Sequence, residues 1–290
     1  MWMLARGYTR DVSATQIAQN LAFINWTVLT GLAFGTYAAL ILLRRRSMAT
    51  RGYLGFATVC AIGFGILAWL SDGALHAPTS SSPIALDPAF DLPRRLGLGA
   101  FCVLAAGGLV VRRVRPGSAP VVEAGALGAA AVTLVAGALG WGGGAIGAAA
   151  LLVELAVLFA ATGGVFAAMI LGHWYLVTPK LPEAPLILLA RVLFAVIGIQ
   201  VVLFVAWIAT GAGPAKSAPF SALSGPWALF VWLRLIVGLL FPLIVSWLAI
   251  QTARTRSMES ATGLLYINVG TIAAGTILAA GLYFGAGLLV

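Results

Sequence analysis

Apolar runs of roughly 20 residues, separated by short polar stretches, recur about eight times along the chain: 21–43, 53–75, 96–111, 121–141, 148–177, 185–210, 226–251 and 261–284. An α-helix needs about 20 apolar residues to cross the hydrocarbon core of a bilayer. The pattern therefore predicts an all-α fold, a polytopic transmembrane helical bundle with about eight membrane-spanning helices. The third run is short, and the arginine pairs flanking it, Arg94–Arg95 and Arg112–Arg113, are expected to lengthen it by snorkelling. The fifth is longer than a span needs and is expected to tilt, to kink at Gly163-Gly164, or to protrude. The fourth, VVEAGALGAAAVTLVAGALGW, is nearly all small residues and is expected to be buried among its neighbours. Gly31-x-x-x-Gly35, Gly140-x-x-x-Gly144 and Gly281-x-x-x-Gly285 have the spacing of close helix contacts, although a chain with 35 glycines produces such spacings readily by chance. Residues 1–20 read as a short exposed segment in which Ser13 or Thr15 caps the first helix, and 21–290 as a single domain.

Composition agrees with the pattern. The chain is 61% hydrophobic and 9% charged with a mean hydropathy of +1.04, too little charge to cover the surface of a water-soluble domain of 290 residues. The net charge of +9 raises nucleic acid as a partner, but its placement excludes that reading. Ten of the 17 basic residues (Arg44, Arg45, Arg46, Arg51, Arg112, Arg113, Arg115, Lys180, Arg254 and Arg256) fall between alternate runs, whereas the other loops and the N-terminus hold five. This is the positive-inside signal, which puts the arginine-rich loops against the anionic cytoplasmic leaflet and both termini on the outside. Membrane lipids are the expected partners, and the abundance of alanine, glycine and arginine associates the chain with a bacterial cytoplasmic (inner) membrane. Cys60 and Cys102 lie within apolar runs without metal-ligand spacing and read as small apolar residues. The echo of RRRSM (44–48) in RTRSM (254–258) reads as convergence of two basic loops rather than duplication.

Ionisable and polar groups inside apolar runs are costly, so each invites a functional question. The stretch LGHWYLVTPKLP places His173, Trp174 and Tyr175 just before a proline-punctuated loop toward the cytoplasmic side. Arg191 follows at a similar depth on the next run, and Gln251, Asn268 and Tyr266 fall on the same side. Together they suggest a pocket with aromatic walls and hydrogen-bonding groups at its base, suited to a quinone head group whose carbonyls accept hydrogen bonds. The alternative is an interfacial aromatic belt, with Arg191 snorkelling to lipid phosphate. Toward the outside, Glu154 and Arg234 sit within the fifth and seventh runs and are expected to pair, either anchoring helices or belonging to a proton or ion path; Gln200 lies deeper. Haem held between two histidines is not expected, because His76 and His173 fall on opposite sides; ligation by one histidine with methionine is the haem geometry left open. Asp87 and Asp91 have helix-like spacing in an outside loop and read as structural.

These features favour an integral membrane subunit of a respiratory or photosynthetic electron-transfer complex that touches quinone near its cytoplasmic side. Its other subunits would dock through the long outside loops 76–95 and 211–226. A small-molecule or ion transporter, resting on Glu154, Arg234 and Gln200, is the second expectation, and a non-catalytic membrane scaffold the third. No discontinuous helix pair supporting transport is visible in the sequence.

Overall fold

The computed structural model describes residues 14–46, 49–75, 83–178 and 181–290. Among them are nine α-helices: α1 (Ala14–Arg46), α2 (Arg51–Asp72), α3 (Asp91–Val114), α4 (Ala119–Trp141), α5 (Ala145–Val177), α6 (Ala184–Thr210), α7 (Ala228–Leu235), α8 (Phe241–Arg254) and α9 (Met258–Ala286). A π-helical turn over Ile236–Leu240 joins α7 to α8, so the two form one interrupted span and the described chain has eight helices long and apolar enough to cross a membrane. The protein is a multi-pass membrane protein. Its outer face agrees, for large apolar residues such as Val103, Val121, Val202 and Ile244 are exposed on the spanning helices.

Two helices organise the bundle. α1 and α5 run in the same direction and pack along much of their length, and around them stand α2, α4, α6 and α9. Their crossing needs glycine on both sides. A Cβ on Gly35 would fall 1.9 Å from the carbonyl oxygen of Phe159, and one on Gly163 would fall 2.1 Å from the amide nitrogen of Thr36. The Thr36 hydroxyl, 3.2 Å from the Gly163 carbonyl, donates a hydrogen bond across this contact. Gly163 thus marks a backbone-to-backbone approach, and α5 is one continuous helix from Ala145 to Val177.

Three expectations change. α1 already begins by Ala14, inside the segment read as exposed; Thr15 lies within the helix and cannot be its cap, while Ser13 lies outside the described residues. α4 is not surrounded: it pairs mainly with α3 at the edge of the bundle and leaves Val121, Val132, Val135 and Leu139 exposed. Its small residues let α3 approach closely along one side and do not exclude lipid from the other. Arg94 does not snorkel outward either. It is buried, donating from Nε to Asp72 Oδ2 (2.8 Å) and from NH1 to Asp91 Oδ1 (2.7 Å), with its guanidinium over the Trp141 ring. Asp87 caps a short 3-10 turn by accepting from the Ala89 amide, so both loop aspartates are structural. The half-buried thiols of Cys60 and Cys102 are unpaired.

Because no atom can move out of the way at a backbone-to-backbone contact, Gly35→Leu should lower the thermal stability of the detergent-solubilised protein severely, at the upper end of the roughly 1–3 kcal/mol that overpacking costs. Gly164→Ala, where an added Cβ meets nothing within 4 Å, is the matched control and should leave the melting temperature nearly unchanged.

Candidate functional site

Side chains on consecutive helical residues point about 100° apart, and this disperses the cluster at the inner end of α5. His173 is exposed and lies 3.3 Å from the Tyr266 hydroxyl of α9, measured at Nδ1. Trp174 turns instead to α2, where it packs against the rings of Tyr53 and Phe56 and crowds Gly52. Tyr175 is buried, its hydroxyl donating to the Pro182 carbonyl in the loop to α6. Arg191 is exposed on α6 and makes no hydrogen bond or ion pair with the described residues. Asn268 is fully buried between α9 and α8, donating to Ser246 Oγ at 2.7 Å. Gln251 is half-buried on α8, where its backbone carbonyl accepts from Thr255. The six residues thus do not line one pocket. What the fold brings together at this end is a phenol–imidazole pair from two different helices, open to the side of the bundle.

The pairing follows from local packing. Gly172, one residue before the histidine, lies against Thr262 of α9, where a Cβ would come within 2.8 Å of the threonine hydroxyl. That close approach lets Tyr266, one turn further along α9, reach the imidazole. When Tyr266 donates to Nδ1, the ring keeps its proton on Nε2 and retains one N–H for an outside acceptor. On the neighbouring face α2 supplies aromatic rings, Phe56 at its inner end and Phe64 packed edge-on to Phe166 at 5.1 Å.

In the outer half Glu154 and Arg234 are both buried, with the nearest nitrogen–oxygen approach 3.6 Å. Trp207 of α6 donates from Nε1 to Glu154 Oε2 at 3.1 Å. Pro242 has no N–H to offer the carbonyl four residues back, that of Gly238. Arg234 NH1 approaches this carbonyl at 3.5 Å. Gly238 and Gly275 touch backbone to backbone, and a Cβ on Gly275 would meet the Arg234 guanidinium at 2.9 Å. The glycines thus make room for a buried arginine beside the π turn. Such turns occur frequently at functional sites. The interruption was readable in the sequence as Gly238 and Pro242 inside an apolar run. Gln200 is buried on α6, and its amide nitrogen has no hydrogen-bond partner.

Two further arginine clusters are tightly made. Arg94 with Asp72 and Asp91 lies at the outer end. At the inner end Glu123 of α4 receives Arg44 NH1 at 2.6 Å and both Nε and NH2 of Arg112, while Arg44 NH2 donates to Thr58. No group of three or more histidine, cysteine or carboxylate side chains able to hold a metal is found among the described residues. His76 lies outside them. No protein-family model matches the chain, and neither a curated protein nor a solved structure matches it.

The contrast between the buried and exposed arginines of the outer end is directly measurable. Arg94→Ala leaves Asp72 buried and unpaired and should cost about 3–5 kcal/mol. Arg95→Ala removes only an exposed guanidinium above Trp69 and should cost no more than about 1 kcal/mol. Thermal unfolding of the two variants in one detergent gives the comparison.

Proposed function

We propose that the chain is a membrane-embedded subunit of an electron-transfer complex of a bacterial inner membrane, and that it receives quinone at the His173–Tyr266 pair near its cytoplasmic side. The observation that carries this reading is the pair itself: two hydrogen-bonding groups from separate helices, held 3.3 Å apart and exposed laterally at the inner end of the bundle. A quinone is a lipid-phase substrate that supplies carbonyl acceptors and exchanges protons when it is reduced or oxidised. A lateral site suits a molecule that arrives through the bilayer, and the imidazole Nε2–H, left free when the Tyr266 phenol donates to Nδ1, is a donor of the right kind. The tail would lie on the apolar surface beside the pair, where α2 exposes Phe56 and α9 exposes Ile267.

Partner subunits would meet the outer loops. The described part of the first, 83–95, is held against the bundle by the bond from the Asp87 amide to the Gly140 carbonyl. The second, 211–226, folds over the end of α9 through the Ala215 amide and the Gly287 carbonyl and leaves Phe220 exposed. Residues 76–82 of the first loop lie outside the described residues.

Transport is the second reading, because the π turn interrupts the span that carries the buried Arg234. A substrate path would require a sizeable polar cavity near the middle of the membrane. The cavity against Glu154 is only about 20 Å³, so the quinone reading is preferred.

A short-chain quinone added to the purified protein should quench fluorescence from Trp174, the tryptophan beside the pair. His173→Ala should weaken binding about tenfold, the equivalent of one hydrogen bond, and Tyr266→Phe about fivefold, because the imidazole loses the bond that orients it. Unchanged affinity in both variants, with the fold intact by circular dichroism, would sink the quinone site. Stoichiometric recovery of iron–sulfur or cytochrome subunits with the chain from its native membrane tests the complex itself.

A further inference from the structure

The three buried arginine–carboxylate clusters of this protein are not built alike. Arg94 meets its two aspartates at 2.7 and 2.8 Å, and Arg44 meets Glu123 at 2.6 Å. The Glu154–Arg234 pair is the exception at 3.6 Å, beyond good hydrogen-bond length. Arg234 Nε has no hydrogen-bond partner, as is also true of Arg44 Nε, but among the described residues Glu154 Oε1 is the only fully enclosed carboxylate oxygen without one. A pair kept only to anchor helices gains by closing that distance, since buried ions offset their desolvation only with good geometry and satisfied valences. Two tight clusters in the same chain show that the fold can supply such geometry. The loose one therefore calls for another explanation.

Its surroundings supply one. A cavity of about 20 Å³ lies against Glu154, with Thr27 and Tyr283 among its walls and the rest apolar, such as Leu151, Leu155 and Phe284; it has room for about one water molecule, for which the carboxylate is the polar anchor. Glu154 lies about 13 Å along α5 from Ala145, in the outer half of the bundle. Arg234 ends the short helix α7 against the π turn, where its NH1 has only a marginal contact with the Gly238 carbonyl. Around the carboxylate, α1 supplies Thr27, α6 the Trp207 indole, α7 Arg234 and α9 Tyr283, whose hydroxyl already donates to the Trp141 carbonyl. The other charged residues of the described α1, α4, α6 and α9 all lie toward their inner ends.

We propose that Glu154 is a proton-exchanging carboxyl group in the outer half of the membrane, supplied by water in the adjoining cavity from the outer face. In the exchange a proton from the outer aqueous phase forms an O–H bond at Oε1, converting the carboxylate to the neutral acid. Its return restores the ion pair, and Arg234 keeps its charge throughout. The indole of Trp207 holds Oε2 in both states, so Oε1, which faces Arg234 at 3.6 Å without a hydrogen bond, is the oxygen that exchanges. This site stands apart from the His173–Tyr266 pair and does not depend on the quinone reading.

Infrared difference spectroscopy of the intact chain in lipid nanodiscs, with the buffer pH stepped across neutrality, tests the proposal. The expected result is a protonated-carboxyl C=O band that grows as pH falls, shifts in D₂O and is missing in Glu154→Gln. Should that variant fail to fold, Trp207→Phe replaces it: the same band should move to higher frequency, because the carboxyl loses its indole donor. In oriented proteoliposomes, acidifying the outer buffer alone should be enough to produce the band. Absence of the band from the wild-type protein would overturn the proposal, as would its persistence in Glu154→Gln or an unchanged frequency in Trp207→Phe. A response to inner acidification only would overturn the outward access.

Discussion

The whole bundle depends on the point where α1 and α5 touch backbone to backbone at Gly35 and Gly163. Between lipid-embedded helices there is little hydrophobic driving force, since a leucine in contact with lipid is as well placed as one in contact with another helix. Association has to come from dense van der Waals contact and interhelical hydrogen bonds, and the α1–α5 crossing supplies both, with the Thr36 hydroxyl bonded to the Gly163 carbonyl. Everything else is arranged on this pair. α2 reaches α5 through Tyr53, whose hydroxyl donates to the Ala167 carbonyl, and α9 reaches it through Thr162 and Thr276, whose hydroxyls lie 2.8 Å apart. The outer end is closed by aromatic packing among Phe23, Trp26, Trp141 and Phe284.

Much of this architecture is legible in the sequence, because the bilayer allows few backbone solutions. Eight apolar runs become eight spans, with boundaries moved by a few residues where helices extend past the hydrocarbon, as in the 24-residue α3. Glu154 and Arg234 stand 3.6 Å apart for a reason equally legible: a lone charge inside an apolar run needs an opposite one. Rotation about the helix axes is much harder to read. His173, Trp174 and Tyr175 are adjacent in sequence and so cannot share a wall, and the structure sends them to α9, α2 and the loop before α6. α4 shows the same limit, because small residues allow close packing without saying how many neighbours come close. Arg94 looks like a snorkelling residue until Asp72, 22 positions away, is seen beside it. The π turn left a local trace in Gly238 and Pro242, but its consequence appears only with the carbonyl that Pro242 cannot serve.

The two candidate sites lie at opposite ends of the same helices. His173 and Glu154 are both on α5, about 28 Å apart along its axis at 1.5 Å per residue. α9 contributes Tyr266 to the inner pair and Gly275 to the space occupied by Arg234. Direct electrostatic influence over such a distance is weak, so each site can be altered without the other responding through charge alone. α5 itself is unbroken and pinned to α1, which makes it a fixed reference for both. The interrupted span, α7 to α8, differs from it in having its hydrogen-bond ladder redirected at the π turn. Arg234 rides on that span and Glu154 on the fixed helix, so a shift of the π turn alters their separation while leaving the His173–Tyr266 geometry, built on α5 and α9, in place.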